Sequence, residues 1–102
     1  MTQDNVVFMT LIAGRKQKDK LLTALLDTGA HLINTTYARG SVRAGFLQST
    51  FGLMPEEHKV VITCVLAREK SNAVMDMLAE KFHFDRPNTG IAFTMPVGSL
   101  SF

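Results

Sequence analysis

Two short glycine-bearing turns, ARGSVRAG (residues 38–45) and DRPNTG (residues 85–90), each carry arginine. Small residues let backbone N–H groups converge on a ligand, and arginine adds a planar fork of donors, so the combination suits a phosphate or another oxyanion. Glycines beside an arginine also serve simply to reverse a chain, and the residues alone leave both readings open. Other chemistry is thinly supplied. His31, His58 and His83 are scattered, none with a second ligand at i+3 or i+4 on a helix, so no metal constellation is read. No Ser-His-Asp pattern stands out, and Glu56 and Glu57 read as a solvated turn. Cys64 is the single cysteine and lies in VVITCVL, a run that reads as buried strand. One thiol makes no intrachain disulfide, which suits a reducing cytoplasm.

Composition narrows the classes. The chain has 102 residues, 46% hydrophobic and 20% charged, enough for one domain and too ordered in character for a disordered segment. A net charge of +2 is too mild for a nucleic-acid field, and the stacking aromatics of RNA-binding sheets are absent. Arg15, Lys16, Lys18 and Lys20 cluster at the start of one expected helix and read as its solvated face. The apolar stretch from Val6 to Ala13 is far shorter than a membrane span and lacks a basic leader, so direct membrane insertion is not expected.

The elements that must position the two turns follow from periodicity. VVFMTLIA, nearly continuous in apolar character, predicts a central or covered strand. KQKDKLLTALLDTG sets Leu21, Leu22, Leu25 and Leu26 at helical spacing, with Gly29 as C-terminal cap. HLINTTYARG predicts a second strand, with Leu32, Asn34 and Thr36 alternating against Ile33, Thr35 and Tyr37. Residues 40–57 lack a helical period and read as a protruding loop or hairpin tip. HKVVITCVLA is the strongest strand signal. REKSNAVMDMLAEKFH predicts a helix with Val74, Met77, Leu78 and Phe82 inward, and IAFTMPV a last strand.

The order β-α-β-β-α-β predicts an α+β, ferredoxin-like sandwich: a four-stranded antiparallel sheet with two helices on one face, over a single domain spanning residues 1–102. Right-handed crossovers place strands one and three centrally and two and four at the edges. Pro96, lacking a ladder donor, fits an edge. The strands are apolar on both faces, so the face without helices calls for cover by other copies.

The whole pattern resembles the P-II signal-transduction family, small trimeric regulators of this fold. The resemblance rests on VVFMTLIA, the helix ending at Gly29, LINTTYARG running into a long loop, MPEEHKVVITCVL, and the glycine turn into GIAFTMPV, with Gly90, Phe93, Pro96 and Val97 matching the last strand. It implies a non-catalytic homotrimer in the cytoplasm. Residues 40–55 then correspond to the partner-touching T-loop, with Phe46, Leu47, Phe51 and Leu53 as anchors. The turn 85–90 corresponds to the B-loop, which cradles the phosphates of an adenine nucleotide between subunits. The implied ligand contacts are Asn34, which takes the place of an adenine-facing residue, with Arg39, Gly40, Arg43, Gly45, Arg86, Asn88, Thr89 and Gly90.

The sequence departs from the family pattern in several places. Ile91 stands where a lysine is expected, several B-loop glycines are replaced, and the family's two C-terminal phosphate-binding arginines would begin where this sequence ends. The T-loop equivalent is shorter than usual, and Tyr37 falls on the strand, so tyrosine modification is not expected. No cofactor is required. The expected effector is an adenine nucleotide or a cyclic dinucleotide, and the expected partner a transporter or enzyme, as in nitrogen metabolism. Two other readings of the fold are weighed. An enzyme of the dimeric α/β-barrel kind wants a buried polar group in a sheet–helix pocket, for which the third strand offers Thr63 and Cys64. A trimeric metal-tolerance protein wants a metal-binding cluster, which six scattered methionines do not make.

Overall fold

Alternating burial along the strands decides the architecture. In the computed structural model, which describes residues 5–39, 58–86 and 89–99, strand β1 (Val6–Gly14) buries Val7, Met9, Leu11 and Ala13, while Phe8, Thr10 and Ile12 are only partly covered. Strand β3 (His58–Ala67) does the same with Val60, Ile62, Cys64 and Leu66. A period of two puts each set on one face, and the register matches them, pairing Met9 with Cys64 and Leu11 with Ile62.

The chain continues from β1 through a 3-10 turn (Arg15–Gln17) into helix α1 (Lys18–Asp27), strand β2 (His31–Arg39), β3, helix α2 (Arg68–Phe82) and strand β4 (Gly90–Pro96). The sheet order is β2-β3-β1-β4, antiparallel throughout. Two central strands flanked by two edges is the arrangement expected, and Pro96 ends an edge strand, opposite Val7. Leu21 and Leu25 of α1 and Val74 and Leu78 of α2 close the core over the buried sheet face, with Met77 and Phe82 packed against it. Each such leucine adds about 1.5–3 kcal/mol through burial. Leu26, at helical spacing with the others, is 64% exposed instead: it lies too far round the helix to meet the sheet.

Helix α1 ends in a Schellman arrangement. Ala30 N–H donates to the Leu25 carbonyl and Gly29 N–H to that of Leu26, with Gly29 left-handed at φ 88°. Strand β2 then departs from simple alternation. A register irregularity falls between His31 and Asn34, where Leu32 takes φ 52° and is 69% exposed.

The other sheet face carries no helix among the described residues. Across it run Val65, Phe8 and Met95 in one row, Asn34, Thr63, Thr10 and Phe93 in the next, and Thr36, Val61, Ile12 and Ile91 in a third. Phe93 and Met95 are 42% and 47% exposed. The two-sided apolar character read from the strands is therefore present in the fold.

Candidate functional site

At one end of the sheet, β1 leaves, β3 begins and β4 begins. Gly14 is paired with Lys59, Ala13 with Gly90 and Arg39 with His58, so this end is also the base of segment 40–57. A cleft of about 580 Å³ opens there, within the size range of small-molecule sites. Gly14, Arg15, Lys16 and Gln17 line it from the β1–α1 turn, His58 and Lys59 from the start of β3, and Thr89 from the turn before β4. The described lining holds three cations, Arg15, Lys16 and Lys59, and no carboxylate.

Arg15 is held in place. Its guanidinium carbon lies 4.7 Å from the centroid of the Tyr37 ring, and its Nε donates to the Lys59 carbonyl at 3.3 Å. The Lys18 ammonium sits 5.6 Å from the same ring and 3.4 Å from an Asp19 carboxylate oxygen. Hydrogen bonding to Tyr37 and then to Asp19 raises the Lys18 pKa. Lys16 is exposed, whereas Lys59 is buried to 8% exposure. The Gln17 Oε1 is buried without a hydrogen-bond partner among the described residues.

The residues expected from the sequence distribute unevenly. Thr89 lines the cleft, and its hydroxyl donates to the Arg86 carbonyl at 2.9 Å and is also directed at the His83 carbonyl. That proton staples the turn together. The Arg86 N–H donates to the His83 carbonyl at 2.9 Å, and Arg86 is exposed and not part of the cleft lining. Gly90 is buried beneath the Phe84 ring. Asn34 lies exposed on the helix-free sheet face, donating to the Leu32 carbonyl at 3.1 Å. Arg39 ends β2, beside His58. Gly40, Arg43, Gly45 and Asn88, and the loop residues Phe46, Leu47, Phe51 and Leu53, lie outside the described residues.

Sequence reasoning missed Arg15, Lys16, Gln17, His58 and Lys59. It read the first two as a solvated helix face, whereas the 3-10 turn carries them to the sheet end. The available signal was the Gly14-Arg15-Lys16 step directly after a strand, a place where loops meet ligands.

Two further grooves are less suggestive. One of about 410 Å³, lined by residues of both helices, mixes Asp19 and Asp27 with Lys20 and Lys81. The other, about 330 Å³ along α2 and β4, is largely apolar. Cys64 is fully buried in the core, and burial pushes its thiol up to about 11. Thr63 points to the opposite sheet face, level with Thr10. Thr63 and Cys64 therefore do not share one pocket. Among the described residues no three His, Cys, Asp or Glu side chains gather as a metal site, and no helix is long and apolar enough to cross a membrane.

Compared by sequence, the chain matches no protein-family model and no curated protein. Compared by structure, it is similar to CPII from Thiomonas intermedia, solved with ADP, AMP and acetate, at a TM-score of 0.69 and 13% identity over 92% of this chain and 89% of that one. It is similar to PII from Arabidopsis thaliana, solved with citrate, at a TM-score of 0.64 and 18% identity over 94% and 85%. A DUF3240 family protein from Shewanella baltica matches at a TM-score of 0.69 and 14% identity over 100% and 98%. At these identities the likeness is one of fold. The chain has the ferredoxin-like fold of the PII-like signalling proteins, in divergent form, as the sequence resemblance implied.

Proposed function

We infer that this chain is a non-catalytic, PII-like signalling protein that works as a cytoplasmic homotrimer. Its effector is a small adenine-containing anion, an adenine nucleotide or a cyclic dinucleotide, held between subunits at the end of the sheet. The contacts that the family resemblance suggests are Asn34, Arg39, Gly40, Arg43, Gly45, Arg86, Asn88, Thr89 and Gly90, of which Thr89 lines the described cleft. The signal passes through residues 40–55, with Phe46, Leu47, Phe51 and Leu53 as anchors, to a regulated transporter or enzyme, as in nitrogen metabolism.

The observation that carries this reading is the cleft at the base of segment 40–57, next to the turn before β4, whose described lining carries Arg15, Lys16 and Lys59 and no carboxylate. The solved CPII structure with ADP and AMP supports the ligand class. The apolar helix-free sheet face supports assembly, since an uncovered face of this kind is normally buried against other copies. A catalytic role for Cys64 is disfavoured by chemistry: a core thiol at about 11 supplies almost no thiolate at neutral pH.

Thermal-shift titration with ATP, ADP, AMP and cyclic dinucleotides tests the ligand class. A true effector at a hundred times its Kd adds about 2.7 kcal/mol of stability, and no shift with any of them would remove the adenine reading. Light scattering at micromolar concentration tests the assembly. A trimer is expected; a well-folded monomer sinks the assembly, and a dimer points toward the enzyme architecture.

A further inference from the structure

We propose that the β1–α1 turn grips the anionic group of the ligand, with Arg15 as its fork and Lys16 as its point charge. The ligand class is a small phosphate-bearing molecule. This rests on the cleft being the ligand site, and it assigns the charge recognition to an element that the family resemblance does not place there.

The geometry of Arg15 carries the inference. Its guanidinium face rests on Tyr37 at 4.7 Å and its Nε is committed to the Lys59 carbonyl. Among the described residues its two terminal nitrogens have no partner. An arginine fixed at its face and its inner edge presents the remaining donors as a preset pair, and less side-chain entropy is lost when an oxyanion docks. Lys16 follows it in the chain, exposed and without a described partner, lining the same space. Arg15 and Lys16 are adjacent cations on a cleft whose described lining holds no carboxylate, and an anion relieves the repulsion between them.

The same contacts tie the ligand to the segment it would report through. Tyr37 lies in β2 just before residue 40, and Lys59 lies in β3 just after residue 57. Arg15 touches both strands that flank the segment. An anion drawing the guanidinium toward itself therefore pulls on the Tyr37 face and the Lys59 carbonyl together.

Calorimetry with two probes, inorganic pyrophosphate and ADP, tests the grip. Arg15→Ala and Lys16→Ala are each expected to weaken both probes about tenfold, the loss of one charge-assisted bond. Arg15→Lys keeps the charge, loses the fork and recovers only part of that affinity. Lys20→Ala removes a cation from the same basic run outside the cleft and is expected to change affinity less than about twofold, as for a screened surface charge. Lys16 is exposed and has no described partner, so its variant is expected to fold normally even if an Arg15 variant loosens the turn. Pyrophosphate binding that depends on Lys16, with no adenine compound bound, supports the grip and sinks the adenine reading. ADP binding indifferent to both residues overturns the grip and keeps the adenine reading. A wild-type chain that binds neither probe overturns the grip as well.

Discussion

Tyr37 carries two cations against one ring: the Arg15 guanidinium at 4.7 Å and the Lys18 ammonium at 5.6 Å. The turn after β1 is thereby latched to the edge strand β2. Exposed contacts of this kind contribute about 0.5–1 kcal/mol each. Tyr37→Leu is expected to lower unfolding stability by about 1 kcal/mol. Tyr37→Phe keeps the ring face, loses the hydroxyl that Lys18 bonds, and is expected to be nearly neutral. Urea denaturation of the two variants separates ring from hydroxyl, and equal losses would contradict the latch.

Phe84 occupies the space a side chain at Gly90 would need. A Cβ on Gly90 would lie 2.5 Å from Cζ and 2.6 Å from Cε1 of that ring, and the ring itself packs against the core. Gly90→Ala is expected to cost about 1–3 kcal/mol by overpacking. In a Phe84→Ala background the clash disappears, so a double-mutant cycle should show a favourable coupling. Additive losses would show that the ring yields instead.

Gly29 ends α1 at φ 88°, a conformation that costs an L-residue about 1–2 kcal/mol. Its Cβ would also reach 2.7 Å from the Lys70 Nζ, a flexible tip that can move away. Gly29→Ala is therefore expected to lower stability by roughly the backbone cost alone, and Gly29→Asn by less. A loss of the same size on replacing exposed Gly98 would show that the effect is not the left-handed cap.

Cys64 makes stability fall on the alkaline side. Burial pushes its thiol from the ordinary 9.0 up to about 11 in the folded chain. The folded state thus holds the proton longer, and its contribution is complete below the unfolded pKa and lost as pH rises toward 11. Full loss of such a difference amounts to about 2–3 kcal/mol. Lys18, also raised, acts in the same direction above its own ordinary range. Chemical denaturation from pH 8 to 11 should show this decline in the wild type and a shallower one in Cys64→Ala. Identical slopes would assign the decline elsewhere.

How much was legible from the residues differs between fold and cleft. The strand β3, the inward positions Val74 and Leu78, the cap at Gly29 and the edge position of Pro96 are all local or periodic properties. A period of two or 3.6, a residue without a Cβ and one without an N–H each declare their backbone preference within a few neighbours. The apolar second sheet face was legible for the same reason. The cleft was not. Arg15 and Lys16 stand directly after a strand and Gly14, which Lys20 does not, but all three suit a solvated helix face equally well. Only the pairing of Gly14 with Lys59 and of Ala13 with Gly90 brings the first turn, the start of β3 and the turn before β4 to one end of the sheet. Only the packing of Tyr37 turns Arg15 into a fixed donor. Local sequence determined which elements form and which faces they bury, because those preferences are settled within a few residues. The tertiary structure decided which charges share a cleft, because charges meet through strand register, and register is settled by contacts between residues far apart in the chain.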